Sequence, residues 1–275
     1  GDGATQSHLP VQRQVCYILD PEASFRHNSA VIELRFRQPT RDGWSSPKQF
    51  KINEQIIHTL TEPEDKQLCS LLMGGSHPVE DEWSSRSSSR AIARSQSVFV
   101  LPQGGRQLLL ARMISTGRCL MSQGSELLPL SWDADDPDVL QTSAPRPPWS
   151  LWLIGDVSED EQKVGFELEL RRQGHTMPAD KPALILSGHD GLVVYDNQVA
   201  PFYDHGASQW INHYRDELAR HETVEPLEVS MEDLPRFLDR LYKLPQIPEV
   251  DLPDDVGWTE QRIRPEQNIE IFSPA

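Results

Sequence analysis

Residues 29–52 read SAVIELRFRQPTRDGWSSPKQFKI. Apolar Val31, Leu34 and Phe36 are interleaved with charged Glu33, Arg35 and Arg37. Alternation of this kind puts one set of side chains on a buried face and the other in water, the pattern of a half-buried strand. Thr40-Arg41-Asp42-Gly43 follows, and Asp-Gly is a favoured hairpin dipeptide because its backbone matches the twist of the flanking strands. PKQFKI (47–52) then returns along the first run. The stretch predicts an antiparallel β-hairpin, and the rest of the chain is read outward from it.

Upstream, residues 1–13 form a polar end and QVCYILD (14–20) reads as a strand. Downstream, EPEDKQLCSLLMGG (62–75) reads as a short helix. Pro63 suits a first helical position and acids crowd the N-terminal end. Leu68, Leu71 and Leu72 make one face, and Gly74-Gly75 stops the run. Residues 76–97 lack apolar periodicity and read as a loop. FVLP (99–102) leads to a second helix over 104–117, ended by Gly117, and CLMS begins another strand.

Residues 133–149 turn acidic and then proline-rich, the composition of a linker. Beyond them WSLWLIGDV (149–157) and KVGFELELRRQG (163–174) read as strands, with Phe166, Leu168 and Leu170 alternating against Glu167, Glu169 and Arg171. ALILSGHDGLVVYDNQVAPF (183–202) is two apolar runs about Gly-His-Asp-Gly, again a hairpin. SQWINHYRDELARH (208–221) and SMEDLPRFLDRLYKL (230–244) read as helices. In the second, Ser230 supplies a cap and Asp233 completes a capping-box-like pair. WTEQRIRPEQNIEIF (258–272) returns to strand character.

The fold class expected is α+β, with antiparallel β-hairpins and interspersed short helices rather than strand–helix alternation. Two subdomains are expected, residues 1–133 and 149–275, joined by the acidic, proline-rich linker 134–148. The expected core comprises Ile18, Val31, Leu34, Phe36, Leu68, Leu72, Leu109, Trp152, Leu168, Leu186, Val194, Trp210, Leu238 and Leu241.

A chain of 275 residues can bury a sizeable core without metal or disulfide staples. It opens on Gly rather than Met and reads as a segment of a longer polypeptide. No apolar run approaches the ~20 residues of a membrane span and no signal peptide opens it, so a soluble, cytoplasmic protein with no membrane partner is expected. Three cysteines, Cys16, Cys69 and Cys119, lie far apart among apolar residues without a Cys-x-x-Cys pair. They suit buried free thiols rather than a disulfide framework or a zinc ribbon. The net charge of −16 disfavours sequence-independent nucleic-acid binding by the chain as a whole, since that binding rests on Lys and Arg neutralising phosphate.

Motifs for chemistry are sparse. No P-loop is present, because Gly74-Gly75 and Gly104-Gly105 lack a following Lys. Glu80-Asp81-Glu82 follows no apolar strand, as a Walker B acid would. There is no Gly-x-Ser-x-Gly elbow, and no cysteine sits in an electropositive setting. No catalytic, metal or cofactor site is therefore expected. Two alternatives stay open. His189, Asp204 and His205 brought together could serve a metal-dependent hydrolase. Arg35, Arg37, Arg41 and Lys48 on one exposed face of the hairpin 31–52 could contact nucleic acid. Arg86, Arg90 and Arg94 recur every four residues but read as a solvated Ser/Arg-rich loop. The seven tryptophans read as packing residues.

Taken in order, YILD (17–20), VIELRFRQPTRDGWSSPKQFKI (31–52), LTEPEDKQLCSLLMGG (60–75) and VFVLP with QLLLARMISTGRCLM (98–121) form a familiar succession. LPLSWD (128–133), PPWSLWLIGDV (147–157), LILSGHDGLVVYDNQVAPF (184–202) and PRFLDRLYKLPQIPEVDLPDD (235–255) continue it. The succession resembles the N-terminal accessory region of bacterial Swi/Snf-type DEAD/DEAH-box helicases. The resemblance is one of pattern and order, without a diagnostic catalytic motif. It implies a non-enzymatic regulatory segment whose partners are the helicase motor domains in cis and, through the full-length protein, DNA.

Overall fold

The computed structural model describes residues 13–75, 77–78, 95–133, 147–159, 162–203, 210–211, 213, 227–253 and 256. The protein is α+β, built on two large sheets with short helices between and around them. The first sheet arises from β1 (Gln14–Leu19), β2 (Val31–Arg37), β5 (Lys48–Gln49), β6 (His77–Pro78), β7 (Val98–Val100), β8 (Cys119–Gln123) and β9 (Glu126–Pro129). The order across it is β6-β7-β2-β1-β8-β9, with β5 also on β2. Helices α1 (Pro21–His27), α2 (Glu54–Thr59), α3 (Pro63–Gly75) and α4 (Arg106–Ser115) connect these strands.

The hairpin over 29–52 is present in an elaborated form. Arg35 pairs with Gln49 and Phe36 with Lys48. Beyond them a separate ladder, β3 (Pro39–Thr40) with β4 (Gly43–Trp44), extends the tip. The turn between them is Arg41-Asp42, and Gly43 takes φ 128°, which a residue with a Cβ resists. On β2 the core face carries Ile32, Leu34 and Phe36, and the other face Glu33, Arg35 and Arg37.

The second sheet holds nine strands among the described residues: β10 (Ser131–Trp132), β11 (Trp149–Val157), β12 (Lys163–Arg172), β13 (His175–Pro178), β14 (Leu184–Leu186), β15 (Gly191–Tyr195), β16 (Gln198–Tyr203), β17 (Leu227–Ser230) and β18 (Glu249–Asp251). Its spine is β13-β12-β11-β16-β15-β14. The short β10, β17 and β18 pair with β16, β12 and β11. The β11–β12 hairpin runs from Ser150 opposite Arg171 to Val157 opposite Val164. Among the described residues the pairing is mainly antiparallel, as expected, with parallel pairs added. β1–β8, β10–β16, β11–β16 and β11–β18 are parallel, each joining strands distant in sequence.

Helix α5 (Leu234–Leu241) lays Leu234, Leu238 and Leu241 on this sheet. It begins later than the sequence reading placed it. Ser230 and Asp233 do pair, the Ser230 hydroxyl donating to the Asp233 carboxylate and accepting from its backbone N–H. They close the turn before the helix, and Asp233 stands at its N-cap without a side-chain cap bond.

Two apolar cores result. The first gathers Tyr17, Ile32, Leu34, Leu68, Leu72 and Phe99 from the first sheet and its helices, and also Leu184, Leu186, Leu192, Val194 and Val199. The second takes the opposite face of the same strands, Ile185, Val193, Ala200 and Phe202, with Trp149, Leu153, Phe166, Leu170 and α5. Strands β14–β16 are thus buried on both faces, which is why LIL and LVV are continuous apolar runs rather than alternations.

Of the residues expected in the core, Phe36, Leu109, Trp152 and Trp210 are only half-buried. Trp152 pairs with Glu169, and its ring lies 5.0 Å below the Arg171 guanidinium, while Leu151 and Leu153 point inward. On α3, Leu68 and Leu72 are buried but Leu71, one position off the stripe, is exposed. The strand expected over 258–272, the Ser/Arg run holding Arg86, Arg90 and Arg94, Glu80-Asp81-Glu82 and most of 134–148 lie outside the described residues. The helix expected over 208–221 is described only at Trp210, Ile211 and His213, where it is helical.

Candidate functional site

Among the described residues, four places gather charged side chains, two of them internal and two open to solvent. The first is fully internal. Asp65, in the first turn of α3, is buried beneath β1. Arg118 Nη1 and Nη2 each donate to one of its oxygens at 2.8 Å. The Tyr17 hydroxyl donates to it at 2.7 Å and the Val15 N–H at 3.3 Å. Burial, and then the facing carboxylate, push the Tyr17 phenol far above its ordinary value. A carboxylate with four donors is a cross-brace of the fold.

The second joins the two sheets. Arg106, at the start of α4, is wholly buried. Its Nε donates to the Asp190 carbonyl, Nη2 to the Ser187 carbonyl, and Nη1 to the Asn28 carbonyl at 3.3 Å. The Asp190 carboxylate in turn accepts from the Gly105 N–H at the N-terminus of α4, where a carboxylate is favoured. Gly105 has φ 103°, a conformation that suits glycine at this cap. Asp190 is therefore more than the plain turn residue that Gly-His-Asp-Gly suggested. Its neighbour His189 is 99 % exposed, with Nδ1 4.0 Å from the Asp190 carboxylate. Asp204 and His205, its expected companions, lie outside the described residues.

The third is a polar cleft of about 570 Å³ at the ends of β10, β12 and β15, walled by Asp133, Trp149, Arg172, His175, Lys181 and Tyr195. Arg172 is buried, paired with buried Asp133, and lies 4.6 Å over the Trp149 ring. Its Nη2 also donates to the Tyr195 hydroxyl at 3.3 Å. The Trp149 N–H meets no acceptor in hydrogen-bond geometry, although it is near enough to ease ionisation of the Tyr195 phenol. Burial and the Asp133 charge outweigh that help, and the phenol's pKa is raised.

The fourth is the basic hairpin. The register separates the residues expected together on one face. Arg35 and Arg37 share a face of β2, whereas Lys48 pairs with Phe36 and so belongs to the opposite side. Arg35 is bound to Glu33 at 2.8 Å. Arg37 donates to the Gln14 side chain at 3.1 Å, and its guanidinium lies 4.8 Å over the Trp44 ring. Arg41 is exposed at the turn. Trp44, read from the sequence as a packing residue, is instead exposed beside the arginines, with Arg37 over its ring. Its place right after the Asp-Gly turn, outside any apolar run, was the available signal.

No family model, curated protein or solved structure matches the chain.

The described residues contain no cluster of three or more His, Cys, Asp or Glu side chains spaced to hold a metal ion. No helix among them is long and apolar enough to cross a membrane. The three thiols are all buried. Burial raises each pKa, Cys69 to about 12, the opposite of what activates a nucleophile.

Proposed function

We propose that the chain is a non-catalytic accessory module of a Swi/Snf-type helicase-like ATPase, acting by contact with the motor domains or another protein partner. The observation that carries this reading is an open cleft of about 470 Å³ on the outer side of the β11–β12 hairpin. It presents Asp156, Glu167, Glu169 and Glu228 against a single lysine, Lys163. Lys163 is tied to Glu228 at 2.6 Å and Glu169 to Arg171 at 2.9 Å, which leaves Asp156 and Glu167 to set the sign of the surface. Such a surface complements a basic protein face, and a nucleic-acid-tracking motor supplies one.

The use of buried charge supports the same reading. Asp65 with Arg118, Asp133 with Arg172, and Arg106 with the 187–190 loop each hold segments of the fold together. The experiment is calorimetric titration of the purified chain into a separately expressed Swi/Snf-type motor region from the same protein. The reading expects binding that weakens with salt and falls at least tenfold in Asp156→Lys/Glu167→Lys. Absence of binding by the wild-type chain would overturn it.

A further inference from the structure

We propose that the tip of the β2–β5 hairpin is a contact site for single-stranded nucleic acid, with Trp44 as the stacking platform and Arg37 and Arg41 as the phosphate contacts. This goes beyond the accessory reading and does not depend on it. Three observations meet at the tip. The first is local charge: Arg37 and Arg41 stand at the tip against one acid, Asp42, in a chain with net charge −16, while Arg35 is paired with Glu33 and Lys48 lies on the reverse face. A basic spot on a chain of net negative charge is a place where an anionic strand is drawn locally.

The second is Trp44, a residue 41 % exposed on the two-residue strand β4 of the separate tip ladder. Exposed aromatics on strands bind unpaired bases by stacking, a sequence-tolerant interaction since every base has a π-face. The third is the Arg37 guanidinium, 4.8 Å over that ring. It holds the indole in place and sets a fixed positive charge beside the stacking surface, the aromatic-plus-cation pairing of single-strand binders. Arg41, in the turn one ladder pair away from Trp44, is exposed. An acidic peptide would use the same cations but has no need of the indole, so the exposed ring favours a base-bearing partner.

The test is fluorescence anisotropy of a labelled oligothymidylate of about 20 nucleotides, longer than one such site requires. It is titrated with the whole 275-residue chain at low salt and then along a salt series. The proposal expects Trp44→Ala to weaken binding roughly five- to a hundredfold with the salt slope unchanged, and Trp44→Phe to recover part of the loss. It expects Arg41→Ala to weaken binding and lower the slope by about 0.7, one phosphate contact on a single strand. Both residues are exposed, so neither change threatens the fold. The proposal is overturned by no binding at low salt, by binding indifferent to Trp44→Ala, or by equal affinity for polyglutamate. None of those results touches the motor-accessory reading, which rests on the β11–β12 cleft.

Discussion

Asp65 and Arg118, 53 residues apart, meet in a buried two-pronged ion pair with both N–O distances at 2.8 Å. The pair fixes the N-terminal turn of α3 against the start of β8, and Tyr17 locks β1 to the same carboxylate. Truncating one partner strands a charge in the interior. Arg118→Met is expected to cost about 3–5 kcal/mol, whereas Arg118→Met with Asp65→Leu costs less than the single change. Urea unfolding of the two variants checks this.

Alkaline pH acts on the same region. Burial raises the Cys16, Cys69 and Cys119 thiols, Cys69 to about 12 from an ordinary 9.0, and raises the Tyr17 phenol further. The folded state therefore holds protons that the unfolded chain releases. Stability is fully present below pH 9 and falls as pH rises towards 12, by up to about 1.4 kcal/mol per thiol per pH unit. Urea midpoints measured from neutral to strongly alkaline pH should decline, and less steeply in Cys69→Ala. At neutral pH, Ellman's reagent should find the thiols unreactive until the protein unfolds.

The joint through Arg106 gives a local prediction. Removing its guanidinium leaves the carbonyls of Ser187 and Asp190 without that donor. Arg106→Leu is expected to destabilise by about 3 kcal/mol, at about 1–3 kcal/mol for each buried group left unpaired. Asp190→Ala removes the cap on Gly105 and is expected to cost about 0.5–2 kcal/mol. In both variants, faster amide exchange should appear first around residues 187–191.

Two glycines should respond oppositely to alanine. A Cβ at Gly191 would stand 2.3 Å from the Phe202 carbonyl oxygen, across the β15–β16 ladder. Gly191→Ala is expected to cost about 1–3 kcal/mol or more, since backbone must move. A Cβ at Gly74, in the last turns of α3, meets nothing within 4 Å. Gly74→Ala is expected to stabilise by about 0.4–1 kcal/mol. Thermal melts of the two proteins separate the cases.

The hairpin of 29–52, the β11–β12 pair and helices α3 and α4 were legible because each carries its own period and its own stop signal. The β15–β16 hairpin was less so. Its turn is Asp196-Asn197, both at positive φ, and a run read as one strand in fact reverses there. Both residue types tolerate that conformation, so the signal existed but was weaker than a glycine. Pairings such as β1–β8 could not be read, because nothing local to Tyr17 or Cys119 encodes a neighbour a hundred residues away. The same holds for the site. Arg35, Arg37 and Arg41 stood out by charge, but only the register shows Lys48 on the other side and Arg37 over Trp44. Asp65–Arg118 and Asp133–Arg172 are invisible in the sequence, since each joins residues that only the fold brings together.

The accessory-module account is tested most directly by reading the coding frame beyond the Ala275 codon. The account predicts a Gly-x-Gly-Lys-Thr-type loop followed by an Asp-Glu-x-His box, the phosphate-cradling and metal-holding parts of a motor. A stop codon soon after Ala275, or a continuation lacking both motifs, would contradict it.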